Sequence, residues 1–228
     1  LSSIPVIMQT AANSPEQIRE GLEAGAYYYL TKPYRRDSLL AIVHAALSDA
    51  EARSALSRQL HQHINSLQFL DEAEFSIRTV EEAGQLATFI AHACPNPDVA
   101  VMGISELLVN GVEHGILGLS YAEKSILKQE DRWHEEVVRR AALPENLNKE
   151  VRLNFRRQNG AITLRICDQG KGFPWQNYLE IDPERAFDPN GRGIALARML
   201  SFSRITYEGC GNIAVATLGS ASSQFSSK

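Results

Sequence analysis

Residues 151–172 read VRLNFRRQNGAITLRICDQGKG, and the fold turns on this stretch. Val151, Leu153 and Phe155 alternate with polar residues, Asn159-Gly160 supplies a tight turn, and Ile162, Leu164 and Ile166 alternate in return. This predicts a β-hairpin with one face in a core. The return strand runs into Asp168-Gln-Gly-Lys-Gly172. An Asp at a strand's end followed by alternating glycines lets the backbone come close to a flat ligand while the carboxylate accepts a hydrogen bond from it. Downstream, residues 204–207 and 213–218 read as a second strand pair around the turn Gly209-Cys-Gly-Asn212. Upstream, residues 75–78 alternate as a short strand, and residues 80–93 and 99–115 have helical spacing, separated by Pro95 and Pro97. The expectation is an α/β fold in which two helices precede the sheet.

Two further motifs flank the hairpin. Glu106-Leu-Leu-Val-Asn110 places a carboxylate and an amide one helical turn apart on one face. An Asn carbonyl is a hard oxygen ligand for Mg²⁺, and a nearby carboxylate can orient or deprotonate a nucleophile. Gly191-Arg-Gly193 opens a helix predicted over 194–200, where backbone N–H groups and the helix dipole favour phosphate oxygens. Each motif alone is common in solvated helices and turns. Their order carries the argument.

A Glu and Asn on a helix, a hairpin ending in Asp-x-Gly-x-Gly, and a Gly-x-Gly helix start resemble the N, G1 and G2 boxes of the gyrase, histidine-kinase and mismatch-repair ATPases (the Bergerat or GHKL fold). The resemblance spans residues 75–218 and implies a two-layer α/β sandwich of helices on a sheet. The Glu-x-x-x-Asn form, His114-Gly115 and the short loop between Phe173 and Gly191 look most like the anti-sigma-factor serine kinases. It implies Mg²⁺ on Asn110, Glu106 as general base, Asp168 on adenine, Gly170, Gly172, Gly191 and Gly193 around ATP, and Arg192 near the phosphates. It also implies phosphoryl transfer to a Ser or Thr of an anti-sigma antagonist or a sigma-factor-like regulatory protein. Two departures stand out: Gly111 follows Asn110 where the family usually has Ala, and an insert occupies residues 117–148. The insert opens with the capping box Ser120-Tyr-Ala-Glu123 and reads as one amphipathic helix presenting Ile126, Trp133, Val137 and Ala141 until Pro144.

The N-terminal residues 1–47 read strand, helix, strand, helix, and Thr10-Ala11, Gly25-Ala26, Tyr29 and Lys32-Pro33 resemble the second half of a response-regulator receiver, a flavodoxin-like fold. That resemblance implies Thr10 and Lys32 at an acceptor phosphoryl group, Tyr29 as the switching aromatic, and a cis bond before Pro33. The start at Leu1, inside what reads as a domain, leads us to expect a piece of a longer protein with a truncated receiver. Residues 48–73 read as a helical linker with Leu56, Leu60, Leu67 and Leu70 at pairing positions, the ATPase domain as 74–218, and the Ser-rich residues 219–228 as a disordered tail. We expect residues 1–70 to hold a homodimer.

A formal charge of −4 and a pI near 5.9 give no basic face for nucleic acid, and no apolar run is long enough to span a membrane. Cys94, Cys167 and Cys210 lack metal or redox spacing and read as buried hydrophobes in a reducing cytoplasm. Two other functions compete with the serine kinase: a histidine-kinase-like enzyme with His61 or His63 as acceptor, and a non-catalytic module whose shape ATP sets.

Overall fold

The chain reverses at Asn159 and Gly160, both in left-handed backbone at φ 53° and 77°, as a tight hairpin turn requires. The computed structural model describes residues 4–10, 14–173, 175 and 193–219. Gly191, Arg192, Ala11 and residues 220–228 of the expected tail lie outside them. The chain divides into two units, Leu1–Asn65 and Ser66–Lys228.

In the first unit, β1 (Ile7–Thr10) and β2 (Tyr28–Thr31) pair in parallel, with α1 (Pro15–Glu23) between them and α2 (Arg36–Ser66) after them. Ser14 caps α1 by accepting the Gln17 N–H, and Pro15 occupies its first turn. The Lys32–Pro33 bond is cis, as the receiver resemblance implies. The helix expected to end near Leu47 continues through most of the expected linker as one uninterrupted helix of 31 residues that ends at Ser66, and residues 72–73 of that linker already belong to a strand. No Gly or Pro falls within it to stop it.

The second unit builds one sheet, in the order β3-β4-β5-β7-β6, from β3 (Glu72–Ile77), β4 (Val151–Gln158), β5 (Ala161–Cys167), β6 (Arg204–Glu208) and β7 (Ile213–Gly219). Every neighbouring pair is antiparallel. Register stacks the alternating apolar residues on one face: Leu153 lies opposite Ile166, Phe155 opposite Leu164, and Leu164 and Ile166 opposite Ala216 and Ala214. All six are buried. Full burial of a side chain such as Phe155 or Leu164 stabilises the fold by about 1.5–3 kcal/mol. Arg152 and Arg156 alternate outward on β4, so only one face is covered. The covering layer comes from α3 (Val80–Ala91), α4 (Pro97–Asn110) and α7 (Gly193–Leu200). The result is a two-layer α/β arrangement.

Leu67 and Leu70 differ from expectation. They pack against this core rather than standing on a pairing seam, and Arg157 secures the entry by donating to the carbonyls of Leu67, Gln68 and Ala93. The insert also differs. It forms two helices, α5 (Tyr121–Gln129) and α6 (Trp133–Ala141), because the backbone turns left-handed at Asp131, φ 55°. Periodicity misses that break, since the apolar spacing continues across it. The Ser120–Glu123 capping box is present in both directions.

Candidate functional site

The helix carrying Glu106 and Asn110 does not end at Asn110. It widens into a π-helical turn over Gly111–Ile116, in which Leu117 N–H bonds the Val112 carbonyl five residues back. Gly111 permits this by packing against β4: a Cβ there would stand 3.0 Å from Val151. Asn110 Nδ2 donates to Glu106 Oε1 at 2.8 Å, which turns the amide Oδ1 away from the carboxylate. Glu106 also meets the start of α7, since a Cβ on Gly193 would lie 1.9 Å from Glu106 Oε1. Two motifs more than eighty residues apart in sequence are thus in contact.

Asp168 follows β5, and its backbone is latched to the turn between β6 and β7. Its N–H donates to the Asn212 carbonyl at 3.0 Å, and its own carbonyl accepts Asn212 Nδ2 at 3.1 Å. The carboxylate accepts the Gly170 N–H at 2.8 Å. Burial pushes the carboxyl up to about 6, and the Gly170 bond opposes that only in part. Gly115 lies directly against it: a Cβ there would stand 2.4 Å from Asp168 Cβ. Gly172, at φ 73°, fits where a Cβ would be 2.1 Å from the Cys210 carbonyl oxygen. Both glycines are required by close approach.

These elements enclose a cavity walled by apolar groups from α4, β5, α7 and β7, including Leu107, Ile166, Ile194 and Ala214. Asn110, Asp168 and Gly172 line it with them. Four ring-bearing residues that sequence reasoning did not assign to the site do so as well: Tyr121, Phe173 and Tyr207, and His114, which was noted only as part of a dipeptide. Phe173 and Tyr207 meet edge to face with centroids 5.3 Å apart, and Trp175 stacks on Tyr207 at 5.7 Å. Burial raises the Tyr207 phenol pKa, and the charges of Glu106, Tyr121 and Asp168 add to that. An apolar cavity with a few convergent polar groups and a shifted carboxyl is the form of a small-molecule site. Gly170 sits beside Gly115 at the rim, whereas Gly191 and Arg192 lie outside the described residues.

Elsewhere, Thr10 and Lys32 come together at the C-terminal ends of the parallel strands, where Lys32 N–H donates to the Thr10 carbonyl at 2.8 Å. Tyr29 lies on β2 opposite Met8 and against Gly21. His61 and His63 are exposed on α2, and His61 Nδ1 contacts the Ser57 carbonyl of its own helix at 2.7 Å. Of the cysteines only Cys94 is buried, its thiol pushed up to about 11 by burial. Cys167 is half-buried and Cys210 is exposed in its turn. Among the described residues, no cluster of three or more His, Cys, Asp or Glu is placed to hold a metal. No described helix is long and apolar enough to cross a membrane.

No family model matches the chain. Over 44 residues it is 52% identical to the Response regulator RppA of Synechocystis sp.. The match covers 19% of this chain and 19% of that protein, so it spans about a fifth of the relative's length. The chain thus contains a portion similar to a response regulator.

Proposed function

We propose that the chain is a signalling protein that joins a receiver-like portion to an ATP-binding domain of the Bergerat type, and that this domain transfers the γ-phosphoryl group to a Ser or Thr of a partner regulatory protein. The observation that carries the reading is the convergence of Asn110, Asp168 and Gly172 on one apolar cavity, with Glu106 in contact with the helix start at Gly193. The residues present fit the nucleotide: the slot suits a purine, the Asp168 carboxylate suits an exocyclic amine, and the Asn110 amide oxygen suits Mg²⁺. When bound, Mg²⁺ would neutralise charge on the phosphate oxygens. The chain's own part is to hold the base in the slot, place Asn110 at the phosphate end, and let Glu106 take the hydroxyl proton as the new oxygen–phosphorus bond forms and ADP leaves. The partner is an anti-sigma antagonist or a sigma-factor-like protein, the setting is the cytoplasm, and residues 1–65 join two copies.

The hydrogen bond between Glu106 and Asn110 favours a second reading, in which ATP sets the shape of a binding module and no phosphoryl moves. Incubation with γ-labelled ATP and candidate partners separates the two. Acid-stable label on a partner, slowed about 10²-fold or more by Glu106→Gln, supports the kinase. ATP binding without label supports the module, and acid-labile label lost in His61→Ala or His63→Ala would replace both with a histidine kinase.

A further inference from the structure

The insert has no task in the proposed function, yet its first helical residue stands at the cavity. Ser120 caps α5, and the Tyr121 ring that follows lies 5.0 Å from the His114 imidazole with the planes 19° apart. Both rings line the cavity that holds Asp168. A hydrogen bond between Nδ1 and the Leu119 carbonyl orients the imidazole. A carbonyl only accepts, so Nδ1 carries a proton, and in the neutral tautomer that this bond selects Nε2 is an acceptor. Nε2 is buried and has no hydrogen-bond partner among the described residues. A buried acceptor left unmet is a penalty that a donor removes. The Asp168 carboxylate is a second acceptor in the same cavity, and the two N–H bonds of one exocyclic amine are enough for both.

The insert is anchored at this corner. Glu113, beside His114 in the π turn, is 1% exposed and accepts Lys124 Nζ of α5 at 2.5 Å and Trp133 Nε1 of α6 at 2.8 Å. Arg140 of α6 ties the assembly further, donating to the carbonyls of Leu117 and Gly118 and to Glu123. Adjacent residues of one turn therefore hold the insert and face the cavity.

We propose that the insert completes the ligand pocket: Tyr121 and His114 form the recognition corner for an amine-bearing heteroaromatic base, and Glu113 with Lys124 and Trp133 holds that corner in place. This rests on the nucleotide reading of the cavity. Tyr121 and His114 are binding residues, and the other three are positioning residues.

The test is calorimetry of the full chain with Mg²⁺-ATP. Tyr121→Ala loses about tenfold or more in affinity, as removal of an aromatic platform does, while Tyr121→Phe, which keeps the ring, stays within about twofold. His114→Phe keeps the stack and removes the acceptor. It weakens ATP about five- to tenfold, yet changes binding of purine riboside triphosphate, which lacks the amine, by less than about twofold. In a Trp175→Phe chain Trp133 is the remaining tryptophan, and its emission shifts on saturation with ATP. Circular dichroism accompanies each variant. If Tyr121→Ala loses its helices, the His114→Phe comparison and the Trp133 signal decide. ATP binding untouched by Tyr121→Ala, equal loss of both ligands in His114→Phe, or a silent Trp133 overturns the inference and leaves the nucleotide reading standing. A wild-type chain that binds no ATP overturns both.

Discussion

Asp168 sets two demands against each other. Burial raises its pKa from 3.8 to about 6, so the folded protein holds the proton more tightly than the unfolded chain does. The ionised carboxylate therefore costs stability as pH rises from about 4 through about 6, and the cost is full above that. A ligand amine needs that same charged acceptor. Asp168→Asn should accordingly raise the melting temperature of the ligand-free protein at pH 7.5, with the gain vanishing toward pH 4. It should also weaken ATP about tenfold or more, since a hydrogen bond to a charged group contributes about 1.5–3 kcal/mol. Thermal melts and calorimetry at the two pH values check both signs, and wild-type ATP affinity should itself fall as pH drops through about 6. Gly115→Ala probes the neighbouring contact. Its Cβ would meet the Asp168 side chain at 2.4 Å, so the variant should lose roughly 1–3 kcal/mol in urea unfolding and bind ATP more weakly. Gly115 was legible in the sequence only as part of a motif. That it carries no side chain because Asp168 occupies the space follows from the packing of the π turn against the end of β5.

At the scale of elements, the helix start at Ser120 was readable because capping chemistry is local. Thr79 and Glu82 form a reciprocal capping box on α3, and Thr79→Ala should cost about 1 kcal/mol in denaturant unfolding. The strand alternation on β4, β5 and β7 was equally plain, because side chains point to opposite faces every second residue. The insert was less so. Its apolar spacing runs across Asp131, and what holds its two helices is a buried carboxylate in another element. Glu113→Ala should strip Lys124, whose side chain is 12% exposed, of its counter-charge and cost roughly 3–5 kcal/mol, whereas Glu113→Gln keeps an acceptor for Trp133 and costs less. Urea unfolding followed by Trp133 emission separates them.

Across the whole molecule, the chain divides after Asn65, and each part has its own packing. In the first, Ile4, Val6, Met8 and Tyr28 are exposed, and β1 and β2 pair only with each other among the described residues, so the outer edge of each strand is open there. Open edges pair with other chains. Light scattering at micromolar concentration should report a dimer, and removal of residues 1–65 should return a monomer that still binds ATP. The cut belongs there and not at residue 70, because Leu67 and Leu70 pack on the core of the second unit. A dimer that survives the deletion would place the interface elsewhere. The sequence by itself determined the α/β class, the hairpin, the capped helix start at Ser120 and the order of the three motifs, since alternation, turn chemistry and capping act over a few neighbouring residues. Only the tertiary structure decided that Glu106 meets Gly193, that Gly115 makes room for Asp168, and that Tyr121 of the insert stacks on His114. Those contacts join residues distant along the chain, through a sheet register and a widened helical turn that no local pattern encodes.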